Sequence, residues 1–292
     1  MRVGFSLLPY GKADILTMFK LTQVLGVGCV EFEATCFGGK VPRFHLEQLA
    51  RQKISNPNSV HAPFFGMYGY DLSTASYKSF DDFVAYLVEF KDPLKLKKVV
   101  VHPPQDPHGS FDLFKERVCQ LGSTGILPVL ENLPEVSWTR LEEMFAILEQ
   151  ECGDVGVCYD FSHDILQNKR EAIDTIPGWF MDVLEGSRGH LHLSACSWDE
   201  DLHLPFKAVP VFWNDILPKV KTFVKSLSIP KDELMILEIQ PTAIANIGEL
   251  VDSFVQTYAM RGGWDYWKRK LRSLFVKPLL VRKVRQQVAD DA

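Results

Sequence analysis

Eight short apolar or β-branched runs alternate with longer amphipathic stretches along the chain, and this alternation limits the fold more than any other feature. The runs are residues 2–8, 28–34, 59–62, 97–102, 126–131, 155–161, 190–194 and 234–239. Between them, residues 77–90, 111–121, 139–152 and 213–227 carry apolar side chains recurring at three and four, the period of a helix with one buried face. Spread over 292 residues, eight strand-plus-crossover units average about 36 residues each, which suits a βα unit. Strands that alternate with helices form parallel sheets, so the expected architecture is α/β, a closed (β/α)8 barrel. A doubly wound open sheet would need a phosphate-binding loop at its switch point, and neither G-x-G-x-x-G nor G-x-x-x-x-G-K occurs. No sequence repeat of that period is visible, which argues against a solenoid. No linker divides the chain. The expected organisation is a barrel over residues 1–262 with a basic helical extension over 263–292.

Charge is distributed unevenly. From Tyr258 onward the chain carries a net +6, leaving −11 on the remainder of a protein whose total is −5. The acidic body argues against nucleic acid as a partner. In the tail, Trp264, Trp267, Leu271, Leu274 and Phe275 share one helical face opposite basic residues. Such a helix can lie on an anionic membrane, but packing on the barrel is the simpler reading. No apolar run reaches the ~18 residues of a membrane span, and the first residues show no cleavable signal pattern. The six cysteines are scattered without a C-x-x-C pair. The expectation is therefore a reduced, cytoplasmic protein in which Cys158 and Cys196 are small buried residues.

The chemistry is concentrated at the C-terminal ends of the runs, where a barrel places its functional groups. The third run ends in His61 and the fourth in His102. The fifth ends in Glu131, the sixth in Asp160 with His163 just beyond it, the seventh in His192, and the eighth in Glu238. The loop after the seventh adds Asp201 and His203. Charged groups ending apolar strands are costly to bury unless they bind something. Imidazoles and carboxylates without thiolates suit a divalent metal such as Zn²⁺ or Mn²⁺, and a bridging carboxylate allows one to three ions. Taken singly, a strand-end histidine is an ordinary hydrogen-bonded core residue. Nine ligand-type residues on consecutive strand ends are harder to explain that way. Glu31 and Glu33 share one face of the second run and read either as substrate-binding groups or as members of buried ion pairs. Phe64, Phe65 and Tyr68, following His61, could stack on a sugar ring or base, or roof the barrel.

This ladder resembles the xylose-isomerase-like TIM-barrel superfamily, which includes endonuclease IV and sugar isomerases and epimerases. The resemblance implies a single metal ion at Glu131, Asp160, His192 and Glu238 in the sugar-enzyme branch. In the endonuclease IV branch it implies three zinc ions, adding His61, His102, His163, Asp201 and His203, with Glu131 bridging two. The chain departs from the nuclease pattern in three places: His61 is followed by Ala-Pro-Phe-Phe-Gly-Met, Phe161 and Ser162 replace the usual Thr and Cys, and His192 is followed by Leu193-Ser194. The loop after the second run offers only Lys40 and Arg43 for gripping phosphates. It also departs from the sugar enzymes, because the loop after His192 has no arginine.

The expected function is a metal-dependent sugar or sugar-phosphate isomerase or epimerase acting on a small hydroxylated carbonyl substrate. Glu131 and Glu238 would move the proton, His163 would orient the substrate, and Glu31, Glu33 and Phe64 would contact it. The alternatives are an endonuclease IV-like phosphodiester hydrolase and a metal-binding barrel without turnover.

Overall fold

The computed structural model describes residues 1–7, 29–34, 43–52, 56–230, 233–239 and 247–261, with isolated positions elsewhere. The basic stretch 264–288 and Lys40 fall outside the described residues, apart from single positions in the tail.

Eight parallel strands close into a barrel: β1 (Arg2–Leu7), β2 (Cys29–Glu33), β3 (Asn58–His61), β4 (Leu96–Val101), β5 (Leu127–Glu131), β6 (Gly156–Asp160), β7 (Gly189–Leu193) and β10 (Leu234–Leu237). Each strand pairs with its sequence neighbour, and β10 closes the ring against β1, with Arg2 opposite Leu234 and Phe5 opposite Leu237. All eight expected runs are strands of this ring. Between β7 and β10 a short antiparallel pair, β8 (Ala195–Cys196) and β9 (Asp201–Leu204), stands on the barrel. In the sequence that segment reads as a loop, because two- and four-residue strands carry no periodic signal.

Alternation along each strand separates two interiors. Outward-facing residues such as Val99, Val101, Val157, Tyr159, Leu191 and Leu193 join one large apolar core beneath the surrounding helices. Among the described residues the inward faces contain two small apolar groups, Cys29 with Leu234 and Ile236, and Val100 with Val129 and Cys158. The rest of the lumen is polar. Glu31, Ser59, Lys98 and His190 are all buried there.

The helices follow the expected pattern with shifted ends. Phe80–Leu94 begins three residues later than the periodicity implies and runs past Pro93 to a left-handed cap at Lys95 (φ 56°). Phe111–Ser123 and Trp138–Cys152 start after Ser110 and Ser137, whose side chains accept from the backbone N–H three residues on. These two helices are joined by a Cys119–Cys152 disulfide with Cα atoms 4.5 Å apart. The expectation that all cysteines are reduced is corrected here. The pairing lies 33 residues apart in sequence, and only the packing of neighbouring helices brings it together. The cytoplasmic expectation thereby loses its cysteine argument. Cys29, Cys158 and Cys196 are free and buried, as expected for the last two. Among the described residues no helix is long and apolar enough to cross a membrane.

At the lower end of the lumen the Lys98 ammonium donates to Glu233 and to the Gly189 carbonyl. Burial lowers its pKa against the pull of Glu233. Removing one member of a buried pair leaves an uncompensated charge, so Lys98→Ala is expected to cost about 3–5 kcal/mol in chemical denaturation. A loss of ~1 kcal/mol or less, the range of exposed pairs, would show that water reaches this end of the barrel.

Candidate metal centre

The C-terminal ends of the strands bring the predicted ladder to one place. Asp160 and His192 lie opposite each other in the β6–β7 register, and Glu33 lies opposite His61 between β2 and β3. Glu238 follows β10 directly, its amide bonded to the Leu193 carbonyl of β7 at 3.2 Å. β5 and β10 are three strands apart around the ring, so Glu131 and Glu238 face each other obliquely across the mouth.

Two ligand-type groups share Glu131. Atoms of Glu131, Asp160, His192 and Glu238 lie within 4.8 Å of one another, as do those of His61, His102 and Glu131. In the first, His192 Nδ1 stands 3.0 Å from Glu131 Oε1 and 3.3 Å from Glu238 Oε2. In the second, Glu131 Oε2 is 3.0 Å from His102 Nε2 and 3.4 Å from His61 Nε2. A third chain runs along the rim, with His163 Nε2 3.5 Å and His203 Nε2 2.7 Å from Asp201 Oδ2. The β8–β9 hairpin delivers Asp201 and His203, the latter with a left-handed φ of 45°. The nine ladder residues therefore occupy one connected cluster.

Several of these side chains are locked from behind, which leaves their other atoms free. Asp160 caps the helix Phe161–Asn168: Oδ1 accepts from the Ser162 and His163 amides at 2.6 and 3.0 Å and from the Ser162 hydroxyl at 2.5 Å. Its other oxygen, Oδ2, is buried without a hydrogen bond. Glu131 Oε2 is likewise buried and unsatisfied. The imidazoles of His61, His163 and His203 each place Nδ1 against a backbone carbonyl, those of Ala62, Asn132 and Glu238, at 2.8, 2.8 and 3.0 Å. This directs Nε2 inward. Buried, unpaired carboxylate oxygens facing imidazole nitrogens are the donor set that a divalent cation requires. The residues fit such an ion.

Electrostatics inside the cluster divide the acids. Burial pushes Glu238 up to about 8, helped by Glu131 and opposed by His192. Burial acts on Glu131 too, but the charges and hydrogen bonds of His192 and His102 hold it well below the carboxylate range. Burial disfavours charge on His61, yet Glu131, Glu33 and Glu238 raise it to about 10. His203 rises to about 9 against its burial because of Asp201. The cluster therefore holds protons where an ion would otherwise supply positive charge.

Above the cluster opens a cavity of about 240 Å³. Glu33, Phe64, Glu131, His163, Asp201 and Glu238 all line it. Sequence reasoning missed Ser6, Gln105 and Glu135, which also reach it and lie on strands or loops without a ligand motif. Gln105 faces His102 Nδ1 at 3.3 Å and donates to Glu135 at 2.9 Å. Glu31 is not among the residues lining the cavity: it is fully buried against Ser59, His190 and His192, the buried-pair alternative of its reading. Glu33 stays at the wall, with Ser6 donating to it at 3.2 Å. Its carboxyl is raised by burial.

No protein-family model and no curated protein matches this chain. Solved structures do. A D-tagatose 3-epimerase-like protein superposes with a TM-score of 0.60 at 18% identity, over 89% of this chain and 97% of its own. A Thermus thermophilus protein soaked with ZnCl₂ gives 0.57 at 19% identity, over 90% and 99%. A family 2 AP endonuclease from Brucella melitensis gives 0.56 at 14%, over 83% and 94%. At such identities the likeness is one of fold alone, and the fold of this chain is a closed (β/α)8 barrel.

Proposed function

We propose that this protein is a divalent-metal-dependent isomerase or epimerase acting on a small hydroxylated carbonyl compound such as a sugar or sugar phosphate. The observation that carries the reading is the pair Glu131 and Glu238. Their carboxylates converge with Asp160 and His192 beneath a cavity of about 240 Å³. That volume falls below the ~300–1,000 Å³ of sites for drug-sized ligands, so a small molecule fits it better than a polymer. Among the described residues its lining contains no lysine or arginine to hold a phosphodiester backbone.

Glu131, Asp160, His192 and Glu238 would hold a Zn²⁺ or Mn²⁺ ion, whose contribution is to polarise a carbonyl and its neighbouring hydroxyl. One of the two glutamates takes the proton from the carbon beside the carbonyl, and the other returns it. Groups whose surroundings drive their proton affinities apart are suited to divide such work, as Glu131 and Glu238 are. His163, fixed through Asn132, orients a substrate hydroxyl from the rim. Glu33 accepts from another hydroxyl, and Phe64 packs on the carbon skeleton. Asp201 and His203 close the cavity on the hairpin side.

A second reading has its own observation. The His61, His102 and Glu131 group, together with the His163–Asp201–His203 chain, could hold further ions bridged by Glu131, as a phosphodiester hydrolase would require. The fold is shared by epimerase-like and nuclease structures alike, and the small cavity without basic lining among the described residues favours the first reading.

Metal binding itself is tested at Asp160. Asparagine caps a helix about as well as aspartate, so Asp160→Asn should change metal-free stability by only a few tenths of a kcal/mol. At zinc concentrations ~100 times Kd the wild-type protein should gain ~2.7 kcal/mol, and the variant should lose most of that gain. Equal stabilisation of both would remove Asp160 from the centre. Because imidazoles must shed protons to bind, affinity should rise with pH from 6 to 8.

A further experiment separates the two chemistries. Metal-loaded protein in D₂O should catalyse exchange of a proton beside the carbonyl of a keto sugar, and Glu238→Gln should abolish the exchange. The same preparation should leave an abasic-site duplex intact at low salt, where phosphate contacts are strongest. Efficient incision lost in Glu238→Gln, without exchange, would replace the isomerase reading with the hydrolase.

A further inference from the structure

We infer that Glu31 is a positioning residue of the metal centre, fixing His192 so that its Nδ1 rather than its Nε2 faces the metal. This inference rests on the metal reading above and adds to it the orientation and tautomer of one ligand.

The observation is a buried carboxylate with nothing to do in the cavity. Glu31 projects into the barrel lumen one layer below Glu33, has no solvent exposure, and does not line the pocket. An isolated carboxylate in such a place is expensive unless it is paired and hydrogen-bonded. Oε2 accepts from the Ser59 hydroxyl at 2.8 Å and faces His190 Nε2 at 3.0 Å. Oε1 lies 3.1 Å from His192 Nε2, and neither of those two atoms has a hydrogen bond elsewhere. That separation is within hydrogen-bond reach.

The opposite edge of the same ring faces the ligand cluster. His192 Nδ1 is the nitrogen 3.0 Å from Glu131 Oε1 and 3.3 Å from Glu238 Oε2. A neutral imidazole carries one N–H and one lone pair. With a carboxylate waiting at Nε2, the proton belongs there and the lone pair is left at Nδ1, toward the other ligands. The reverse tautomer would set a lone pair against the Glu31 oxygen and spend the N–H on the metal side. Ser59 on the adjacent strand β3 and His190 on β7, three strands away around the ring, hold Glu31 in this pose. A ligand histidine that gives its other N–H to a carboxylate is oriented and made more basic, and losing such a partner costs about 10–100-fold in metal affinity.

The test combines a structure with two variants. In crystals of the zinc-loaded full chain, His192 Nδ1 should lie ~2.0–2.1 Å from the ion with Nε2 against Glu31. An ion bound by Nε2 would overturn the inference. By competition with a chelating dye, Glu31→Gln should weaken zinc binding about 10–100-fold, while metal-free melting stays close to wild type. Ser59→Ala should weaken it in the same direction by less. Wild-type-like zinc affinity in Glu31→Gln would sink the inference while leaving the metal reading intact. Failure of the wild-type protein to bind zinc would sink both. If Glu31→Gln does not fold, the zinc-loaded wild-type structure and Ser59→Ala decide.

Discussion

Carboxylates that cannot move away from one another at the mouth of a closed barrel set the terms for the rest of the structure. Glu131 and Asp160 have no solvent exposure, and Glu33 has almost none. Each charge would cost several kcal/mol to bury alone. The protein answers by surrounding them with imidazoles from β3, β7 and β9 and from the segments after β4 and β6, and by fixing three of the rings from behind. Carbonyls of Ala62, Asn132 and Glu238 hold three of those rings through Nδ1. The result is a cluster rigid in position but variable in charge, which a binding site for a cation needs.

Ring closure makes that convergence possible. In an open sheet, side chains at the ends of eight strands would spread along an edge. In a barrel they point at one axis. Alternation does the remaining sorting, because Leu191 and Leu193 face the helices while His190 and His192 face the lumen. The lumen is correspondingly poor in aliphatic packing, with two apolar groups of three buried residues each among the described residues. Stability must then come mainly from the large outer core between strands and helices, and the inner layer is released for polar work. Lys98 with Glu233 at one end and the ligand cluster at the other are two uses of that freedom.

The fold was legible because eight apolar runs alternating with amphipathic stretches have few solutions. The ladder was legible because strand ends fall at known places in that solution: Asp160 and His192 are adjacent in the sheet as their runs imply. What was hidden depends on pairing rather than pattern. Glu31 and Glu33 are equivalent by period, and only the depth of each along β2 separates a residue beneath the centre from one at the cavity wall. Ser6 and Gln105 carry no motif at all. The Cys119–Cys152 bond arises from the approach of two helices and leaves no mark in cysteine spacing. The β8–β9 hairpin is too short to announce itself, although its cargo, Asp201 and His203, was identified by residue type.

Protons and metal ions are alternative occupants of the same electrostatic demand. With no ion bound, the Glu131 carboxylate draws a proton onto His61, and Asp201 draws one onto His203. Glu238 retains its own. Each of those protons sits where a ligand lone pair would otherwise meet a cation. Were Glu131, Asp160, His192 and Glu238 to hold a cation, its charge would cancel part of the field that holds these protons, and protons at neighbouring positions would loosen. Occupying the His61 and His102 side of Glu131 then becomes a matter of how much negative charge the first ion leaves uncompensated. Glu131 belongs to both groups, so the basicity it spends on one is lost to the other. On the proposed reading the number of ions is thereby tied to the chemistry: a singly occupied centre would leave Glu131 able to carry a proton, and a bridged one would not.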